Sequence, residues 1–229
     1  MKIHGLQKMT LLDFPGKVAC TVFLGGCDWR CPFCHNFELA DGTAKPVMDS
    51  EELLDFLKKR TGLLDAAAFT GGEPCLHREL PELIRSIRDM GFAVKLDTNG
   101  CHPDMLNVML EQGLLDYVAM DIKNSPAKYP MTVGMPEVDM VPVYESIDLL
   151  LKGSCRCEFR TTVVKELHEE ADFEEIGKMI AGADKYFLQS FTDRDSVPFT
   201  GLHAPDEQDL KKFAAIAALY VKNVELRGV

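Results

Sequence analysis

The chain carries the stretch Gly25-Gly26-Cys27-Asp28-Trp29-Arg30-Cys31-Pro32-Phe33-Cys34-His35-Asn36, in which three cysteines are spaced C-x3-C-x2-C. Three thiolates in one short loop can hold three irons of a cubane cluster and leave the fourth iron without a protein ligand. A cluster that only transfers electrons normally has a cysteine on every iron, so an open iron indicates a place for a substrate or cofactor. The spacing therefore predicts a 4Fe-4S cluster on Cys27, Cys31 and Cys34.

A structural zinc site is the alternative interpretation of this loop. Such a site takes four Cys or His ligands in tetrahedral geometry, and short cysteine spacings occur in both kinds of site. His35 is the fourth ligand by composition, but it directly follows Cys34 and would have to fold back onto the same ion. The next cysteine, Cys75, lies far along the chain. The spacing favours a cluster and leaves zinc open.

Hydrophobic runs, caps and breakers predict an alternation of strands and helices along the chain. The predicted strands are 18–24, 66–70, 92–97, 116–121, 158–164 and 185–191, with a short edge strand at 224–227. The predicted helices begin near residue 49 and otherwise cover 80–90, 103–112, 143–152, 173–181 and 206–221. Asp49 with Glu52 is typical of a capping box at the start of the first helix.

Six strand-helix units with right-handed crossovers make a parallel sheet, and their number predicts an α/β fold of the incomplete (β/α)6 TIM-like barrel type. Chemistry in such folds gathers at the carboxyl ends of the strands. The unusual polar motifs of this chain follow predicted strands: the three cysteines, Gly71-Gly72-Glu73-Pro74, Asp97-Thr98-Asn99-Gly100, Asp121-Ile122-Lys123 and Gln189-Ser190. We expect them to meet at one rim of the barrel.

Length and charge limit the other possibilities. A chain of 229 residues predicts one domain over 1–229, with 1–17 as an N-terminal extension that packs on the barrel. The formal net charge of -11 argues against sequence-independent nucleic-acid binding, which relies on basic patches. The apolar run Val18–Leu24 is too short to span a membrane and the N-terminus lacks an apolar signal core, so we expect a cytoplasmic protein.

The eight cysteines indicate metal binding or catalysis rather than disulfides in such a protein. Outside the loop, we interpret the remaining thiols as reduced structural cysteines: Cys20, Cys75, Cys101, Cys155 and Cys157. The pair Cys155-x-Cys157 could serve a second cluster, but it has no partner cysteines nearby. The histidines outside the loop fall in no ligand spacing and are interpreted as structural or solvated: His4, His77, His102, His168 and His203.

The cysteine loop resembles the signature of the radical S-adenosylmethionine (SAM) superfamily, in which an aromatic residue precedes the last cysteine, as Phe33 does here. The Gly71-Gly72-Glu73-Pro74 stretch resembles the superfamily's motif for the methionine end of SAM. Glycines let a ligand approach the backbone closely, and the Glu73 carboxylate can accept a charge-assisted hydrogen bond from an ammonium group. The resemblance implies a barrel of the radical SAM type.

The sequence offers more than one anionic partner for Arg160. Strand alternation places Glu158, Arg160 and Thr162 on one face. If that face points into the barrel, the guanidinium needs an anion, which is either the SAM carboxylate or a carboxylate of Glu158 or of a rim aspartate. Asp97 and Asp121 in turn could bind ribose hydroxyls, bind a monovalent cation beside the cofactor, or cap loops.

Longer motifs narrow the resemblance to the activating enzymes of glycyl-radical enzymes: Cys34-His35-Asn36, Leu96-Asp97-Thr98-Asn99-Gly100 and Met120-Asp121-Ile122-Lys123. Three further segments resemble the branch that activates anaerobic ribonucleoside-triphosphate reductase: 5–17, 158–164 and 224–228. Pyruvate formate-lyase activases carry a Tyr-His pair near the sixth strand, where this chain reads Leu188-Gln189-Ser190-Phe191. That departure favours the reductase branch.

The resemblance implies that SAM binds the open iron through its amino and carboxylate groups. One electron from a flavodoxin- or ferredoxin-type reductant then cleaves SAM, and the 5′-deoxyadenosyl radical takes a hydrogen atom from a glycine of a partner glycyl-radical enzyme. It also implies these cofactor contacts: Phe33, Asn36, Gly71, Gly72, Glu73, Asp97, Thr98, Asn99, Asp121, Lys123, Arg160 and Gln189. The rivals are a pyruvate formate-lyase-type activase, a radical SAM enzyme that acts on a small molecule, such as a deazaguanine synthase, and a non-catalytic metal or electron-carrier module.

Overall fold

A computed structural model describes residues 1–228, so the last residue of the predicted domain lies outside the described residues. The strands are β1 Lys2–Ile3, β2 Gly5–Thr10, β3 Ala19–Leu24, β4 Met48–Asp49, β5 Ala66–Gly71, β6 Ala93–Thr98, β7 Tyr117–Asp121, β8 Arg156–Val163, β9 Lys185–Ser190 and β10 Asn223–Arg227. The α-helices are α1 Phe37–Asp41, α2 Ser50–Lys58, α3 Leu80–Asp89, α4 Pro103–Glu111, α5 Tyr129–Val133, α6 Val141–Leu151, α7 Glu170–Met179 and α8 Glu207–Ala217.

Eight strands form the main sheet in the order β10-β9-β8-β7-β6-β5-β3-β2. All neighbours from β3 to β10 pair in parallel, and β2 pairs antiparallel with β3. Within residues 1–228 no ladder joins β2 to β10, so the sheet stays open on one side. Seven strands thus lie parallel, and each of the first six is followed by a helix, which confirms the predicted incomplete barrel.

The first long helix shows how local signals set an element. The Asp49 side chain accepts hydrogen bonds from the backbone N–H groups of Glu51 and Glu52, and the Glu52 carboxylate accepts one from the Asp49 N–H at 2.9 Å. Both halves of the predicted capping box are therefore present, and they satisfy donors that the helix itself leaves free. The other predicted elements also form, with ends shifted by up to four residues.

The N-terminal segment is more ordered than the sequence predicted. β1 pairs with β4, which precedes α2, and β2 extends the main sheet beside β3. The sequence of β2, Gly-Leu-Gln-Lys-Met-Thr, has no clear alternation of apolar residues, because an edge strand buries little surface. Two short helices, α1 and α5, were also absent from the prediction. Both follow loops at the carboxyl ends of strands and surround the cysteine loop.

The barrel interior is filled by aromatic and small side chains at the amino ends of the strands and has free space at their carboxyl ends. Ala66 and Ala68 lie on the same face of β5 as Thr70, and alternation makes that face the inner one. At the amino ends of the strands the fully buried Phe14 packs with Ala19, Ala66 and Tyr117. This packing closes the amino end and leaves space near the carboxyl ends. Among residues 1–228, no helix has the length and apolar character needed to cross a membrane.

Candidate active site

A cavity of about 280 Å³ lies at the carboxyl ends of the strands. Every predicted site residue except Glu73 lines it: Cys27, Cys31, Phe33, Cys34, Asn36, Gly71, Gly72, Asp97, Thr98, Asn99, Asp121, Lys123, Arg160 and Gln189. Residues from four loops and from the carboxyl halves of five strands therefore meet at one place. The expectation that the polar motifs share one rim of the barrel is correct.

The cysteine loop is fixed by the segment that contains α5. The Arg30 N–H donates to the Val133 carbonyl at 2.9 Å, and the Trp29 ring meets the Tyr129 ring edge-on at a centroid distance of 5.5 Å. A Cβ on Gly134 would lie 2.2 Å from the Arg30 carbonyl oxygen, so this position accepts only glycine without a shift of the backbone. The helix that the sequence did not predict thus supports the cysteine loop.

Burial makes the three thiols poor anions on their own. It raises the pKa of Cys31 to about 12 and also raises the pKa of Cys27 and Cys34, while the nearby Lys123 ammonium opposes the change in all three. Burial alone would lower the pKa of Lys123, but Asp121 and the Cys31 sulfur raise it, so the lysine stays charged. Binding a metal centre would have to displace the thiol protons, and Lys123 favours the thiolates that result.

The donor set fits a cluster better than one zinc ion. Among residues 1–228, no group of three His, Cys, Asp or Glu side chains converges on a point where it could hold a single metal ion. His35 does not turn back toward Cys34, because its Nε2 lies 2.6 Å from the Thr192 carbonyl oxygen. In a cubane cluster each thiolate binds a different iron, so three sulfurs around a cavity wall are the arrangement expected.

Gly71 and Gly72 bring the loop after β5 against the cysteine loop. A Cβ on Gly72 would lie 1.9 Å from the Gly26 carbonyl oxygen, and one on Gly71, whose φ is +121°, would lie 2.4 Å from that of Leu24. The Asn36 side-chain amide donates to the Gly71 carbonyl at 3.3 Å. The two glycines therefore serve the contact between two backbones as well as lining the cavity.

Glu73 is placed differently from its prediction. Its side chain is fully buried and does not line the cavity. The carboxylate accepts hydrogen bonds from the Cys75 N–H at 2.9 Å, the Thr98 hydroxyl at 2.8 Å and the Asn99 N–H at 2.7 Å. Burial raises its pKa, and the Asn99 and Cys75 N–H groups oppose that change. In this structure Glu73 binds the end of β6 and the loop after it, which is a supporting role, and its contact with a ligand stays a prediction.

Asn99 carries this support to the cysteines. Its side-chain amide lies 3.9 Å from the Cys27 sulfur, within reach of a weak N–H···S hydrogen bond. Next to Cys27, the Asp28 carboxylate pairs with His102 Nε2 at 2.9 Å, which raises the pKa of the histidine. The loops after β5 and β6 thus hold one side of the cysteine loop, as the segment of α5 holds the other.

Arg160 pairs with the rim aspartates in this structure. Its Nε donates to Asp121 at 2.9 Å and its Nη1 to Asp97 at 3.4 Å. Lys123 also binds Asp121, at 2.9 Å, and Lys95 forms an ion pair with Asp97. The alternative that assigned Arg160 to a rim carboxylate is therefore observed, and the one that assigned it to Glu158 is wrong, because Glu158 binds Arg227 and Tyr117 near the amino end.

The charges around the cavity do not cancel. Three cations, Lys95, Lys123 and Arg160, face two carboxylates, Asp97 and Asp121. Burial alone would raise the pKa of Asp121, but Arg160 and Lys123 lower it to about 2, so the carboxylate stays ionised at neutral pH. Lys123 and Arg160 line the cavity together with the two aspartates, whereas Lys95 pairs with Asp97 from behind the lining. The group as a whole has one more cation than carboxylate, which favours an anionic ligand beside Lys123 and Arg160.

Five lining residues were missed by the sequence analysis: Trp29, His35, Ala40, Thr70 and Thr162. Strand alternation could have found Thr70 and Thr162, because both lie at the carboxyl ends of inward-facing rows. Cys155 and Cys157 lie far from the cavity, beside a second space of about 600 Å³ near the amino ends of β8 and β9. The interpretation of these two thiols as separate from the cysteine loop agrees with that position.

The comparisons with known proteins agree with the geometry. Residues 21–180 match the family model of the Radical SAM superfamily. A protein of Methanocaldococcus jannaschii, provisionally named a glycyl-radical enzyme activating enzyme, is 34% identical over 99% of this chain and 96% of its own length. The pyruvate formate-lyase-activating enzyme of Clostridium pasteurianum is 30% identical over 54% of this chain and 52% of its own length.

Among solved structures, SuiB of Streptococcus suis superimposes with a TM-score of 0.68 at 14% identity, over 91% of this chain and 48% of that chain. At this identity the likeness concerns the fold, and it supports the incomplete barrel. The family model covers more than half of the chain, and the Methanocaldococcus relative covers nearly all of it. The chain therefore belongs to the Radical SAM superfamily and, within it, to the family of glycyl-radical enzyme activating enzymes.

Proposed function

We propose that this protein activates anaerobic ribonucleoside-triphosphate reductase by forming a glycyl radical on it. The observation that carries the proposal is a cavity lined by the three thiols of Cys27, Cys31 and Cys34 and by two cations, Lys123 and Arg160. Such a cavity suits a thiolate-bound cluster beside a ligand with a carboxylate. The reductase is chosen because segments 5–17, 158–164 and 224–228 resemble its activating proteins.

The residues would divide the work as follows. The three cysteines would hold a 4Fe-4S cluster, and Arg160 and Lys123 would bind the SAM carboxylate, for which the surplus positive charge is available. When bound, the reduced cluster and SAM supply the radical chemistry that removes a hydrogen atom from a glycine α-carbon. Trp29 and Phe33, both buried, would exclude water from that place. The protein contributes placement more than acid-base chemistry.

The proposal also includes an electron donor and a monovalent cation. A flavodoxin- or ferredoxin-type protein would deliver the electron, which dithionite can replace in a test. A monovalent cation near Asp97 and Asp121 would compete with Lys95, Lys123 and Arg160 for the same carboxylates. Replacing potassium by a large organic cation in the SAM-binding assay would show whether such an ion takes part.

The experiment that tests the function is anaerobic electron paramagnetic resonance of the reconstituted, reduced protein with and without SAM. We expect a cluster signal that changes on adding SAM, 5′-deoxyadenosine in the product mixture and a glycyl radical signal once the reductase is added. Cys34→Ser should lose most of the iron, the cluster signal, the formation of 5′-deoxyadenosine and the glycyl radical signal. Cys155→Ser, a thiol far from the cavity, is the matched control and should keep them.

The same experiment separates the rivals. A radical on pyruvate formate-lyase, and none on the reductase, would contradict the choice of partner and support the other branch of activases. Deoxyadenosine that forms without a radical on either protein would favour a small-molecule substrate. Zinc in place of iron, or a cluster signal that ignores SAM, would contradict the enzymatic assignment as a whole.

A further inference from the structure

The cysteine loop makes a second, separate contact with the loop that follows β9. The imidazole of His35 stacks on the Phe191 ring at a centroid distance of 5.7 Å and an interplanar angle of 11°. Its Nε2 lies 2.6 Å from the Thr192 carbonyl oxygen, and because a carbonyl only accepts, Nε2 must carry the proton. The hydrogen bond joins residues 157 positions apart. No local sequence signal predicts it.

The place of this contact in the sheet gives it a particular role. β3 lies beside the edge strand β2, and β9 lies beside the edge strand β10. Because His35 belongs to the loop after β3, its contact with Thr192 joins the two sides of the open sheet above their carboxyl ends. His35 and Gln189 both line the cavity. The contact therefore forms the cavity wall on the side where strand pairing does not close the barrel.

The size of the cavity shows that this wall matters. Its volume of about 280 Å³ lies just below the roughly 300–1,000 Å³ found for sites of single small ligands. The proposed function needs room for SAM and for a polypeptide segment that contains the reactive glycine. The cavity must widen to admit both. From β3 to β9 the strands are joined by continuous ladders, which resist separation.

The loop beyond the contact is built differently from the strands. Residues 193–202 contain neither helix nor strand and are mostly exposed, including Phe199 at 57%. At the far end the segment is held again, because the Lys165 N–H donates to the His203 carbonyl at 3.0 Å and His203 Nδ1 lies 2.7 Å from Glu166. Long connections without regular structure often serve as lids in enzymes. This one is tied at both ends and open between them.

We propose that His35 is a latch: its contacts with Phe191 and Thr192 close the open side of the barrel, and they must open to admit the partner's polypeptide. The substrate half of this inference rests on the proposed function, while the latch itself rests on the geometry alone. His35 is a positioning residue here, since it holds the loop and takes no part in hydrogen transfer. Among residues 1–228, its Nε2 makes the one hydrogen bond between the cysteine loop, 25–36, and residues 190–206.

Hydrogen exchange read by mass spectrometry on the anaerobic, cluster-reconstituted protein tests the latch. His35→Ala removes the stack and the hydrogen bond, and we expect amides of 192–196 to exchange about five- to tenfold faster. His35→Phe keeps a stacked ring and loses only the hydrogen bond, so its increase should be smaller. His203→Ala removes the imidazole contact with Glu166 at the far anchor of the same loop and keeps the backbone hydrogen bonds there. It should leave 192–196 within twofold of the wild-type rate. Iron content checks that each variant keeps its cluster.

Steady-state kinetics with the reductase as substrate tests the gating. If the contacts of His35 must open before the reductase enters, His35→Ala removes the free-energy cost of opening them. The apparent KM for the reductase should then fall about five- to tenfold. A merely structural role would leave KM unchanged or raise it. Unchanged exchange at 192–196 in His35→Ala, or an increase spread evenly over β9 and α8, would overturn the latch. Faster exchange without a fall in KM would overturn the gating.

Wild-type protein that forms no glycyl radical on the reductase or on pyruvate formate-lyase would instead contradict the proposed function. The exchange result would still decide the latch.

Discussion

The two ends of the barrel interior both hold charged side chains, but in different ways. At the carboxyl end, Lys95, Lys123 and Arg160 share two aspartates around a cavity. Nearer the amino ends, Glu158 of β8 accepts two hydrogen bonds, at 3.0 and 3.2 Å, from the side chain of Arg227, the last residue of β10. The Arg227 guanidinium also lies over the Phe187 ring, 3.3 Å from its centroid.

The amino-end group is complete in itself. Glu158 is only 2% exposed, and its carboxylate also accepts the Tyr117 hydroxyl at 2.7 Å. One cation meets one anion there, and Phe14 and Tyr117 pack beside each other at the same end. At the carboxyl end three cations meet two aspartates, and all of these side chains except Lys95 border open space. A buried charge is thus evidence of a binding site when its group has surplus charge and room for a ligand, and of structure when it has neither.

The largest effect is expected from a substitution in the amino-end group, and it concerns the free energy of unfolding. Glu158→Ala leaves the Tyr117 hydroxyl and the inner part of Arg227 without an acceptor, so we expect the free energy of unfolding to fall by about 3 kcal/mol. Urea unfolding followed by circular dichroism measures it. The affinity for SAM of the folded variant should stay within twofold of wild type. Lys178→Ala, which removes two exposed ion pairs on α7, with Glu174 and Glu175, is the control and should give no resolvable change.

The second prediction concerns a substitution in the carboxyl-end group, which should weaken SAM binding more than it destabilises the fold. Arg160→Met removes a buried donor to an anionic ligand, so SAM should bind about 30-fold more weakly, or ~2 kcal/mol. Unfolding should change less than in Glu158→Ala, because Lys95 and Lys123 remain beside the aspartates. Anaerobic calorimetry measures the affinity, with Arg160→Lys as the conservative variant. An unchanged affinity would show that the surplus charge serves the fold alone.

A third effect concerns acid. The pKa of Asp121 is lowered from 3.8 to about 2 in the folded protein. Its contribution to stability is therefore complete above about pH 4 and is lost as the pH falls toward 2, because the unfolded chain takes up the proton first. We expect this loss to be at most about 2 kcal/mol. Urea unfolding at pH 6 and pH 3 should show a smaller pH dependence for Asp121→Asn than for wild type. Equal dependence would mean that Asp121 is not held by Arg160 and Lys123.

The smallest effect sharpens the distinction between lining and supporting residues. Glu73→Gln keeps the shape of the side chain but replaces one of the oxygens that hold Asn99, Thr98 and Cys75. Since Glu73 acts through the loop after β6, SAM affinity should fall about fivefold, or ~1 kcal/mol, with iron content intact. A loss above a hundredfold would restore Glu73 as a direct contact. No change at all would show that the loop is held without it.

Much of the fold could be predicted because its signals are local. Asp49 and Glu52 lie three positions apart, and the apolar runs of β5 and β7 need only their own residues to be recognised. β2 was missed because its partner surface is supplied by β3 and its own pattern is weak. The helices α1 and α5 are each five residues long, which is too short for periodicity to reveal.

The candidate site divides in the same way. Fourteen of the fifteen predicted residues line the cavity because parallel strands bring their carboxyl ends to one rim, whatever the details of packing. The partners of individual side chains could not be predicted. Arg160 had three candidate anions, and the choice of Asp97 and Asp121 depended on the register of β6, β7 and β8. Glu73 turned inward because Thr98 and Asn99, at the end of β6, and the N–H of Cys75 offered it three donors.

The sequence by itself determined the three-cysteine loop, the six strand-helix units and the rim where their polar ends meet, because these follow from spacing and periodicity within short segments. Only the tertiary structure decided that Glu73 supports a loop, that Glu158 binds Arg227, 69 residues away, and that His35 reaches Thr192 across the open side. Such contacts join groups that are distant along the chain. They depend on strand register and loop packing, which form together with the whole fold.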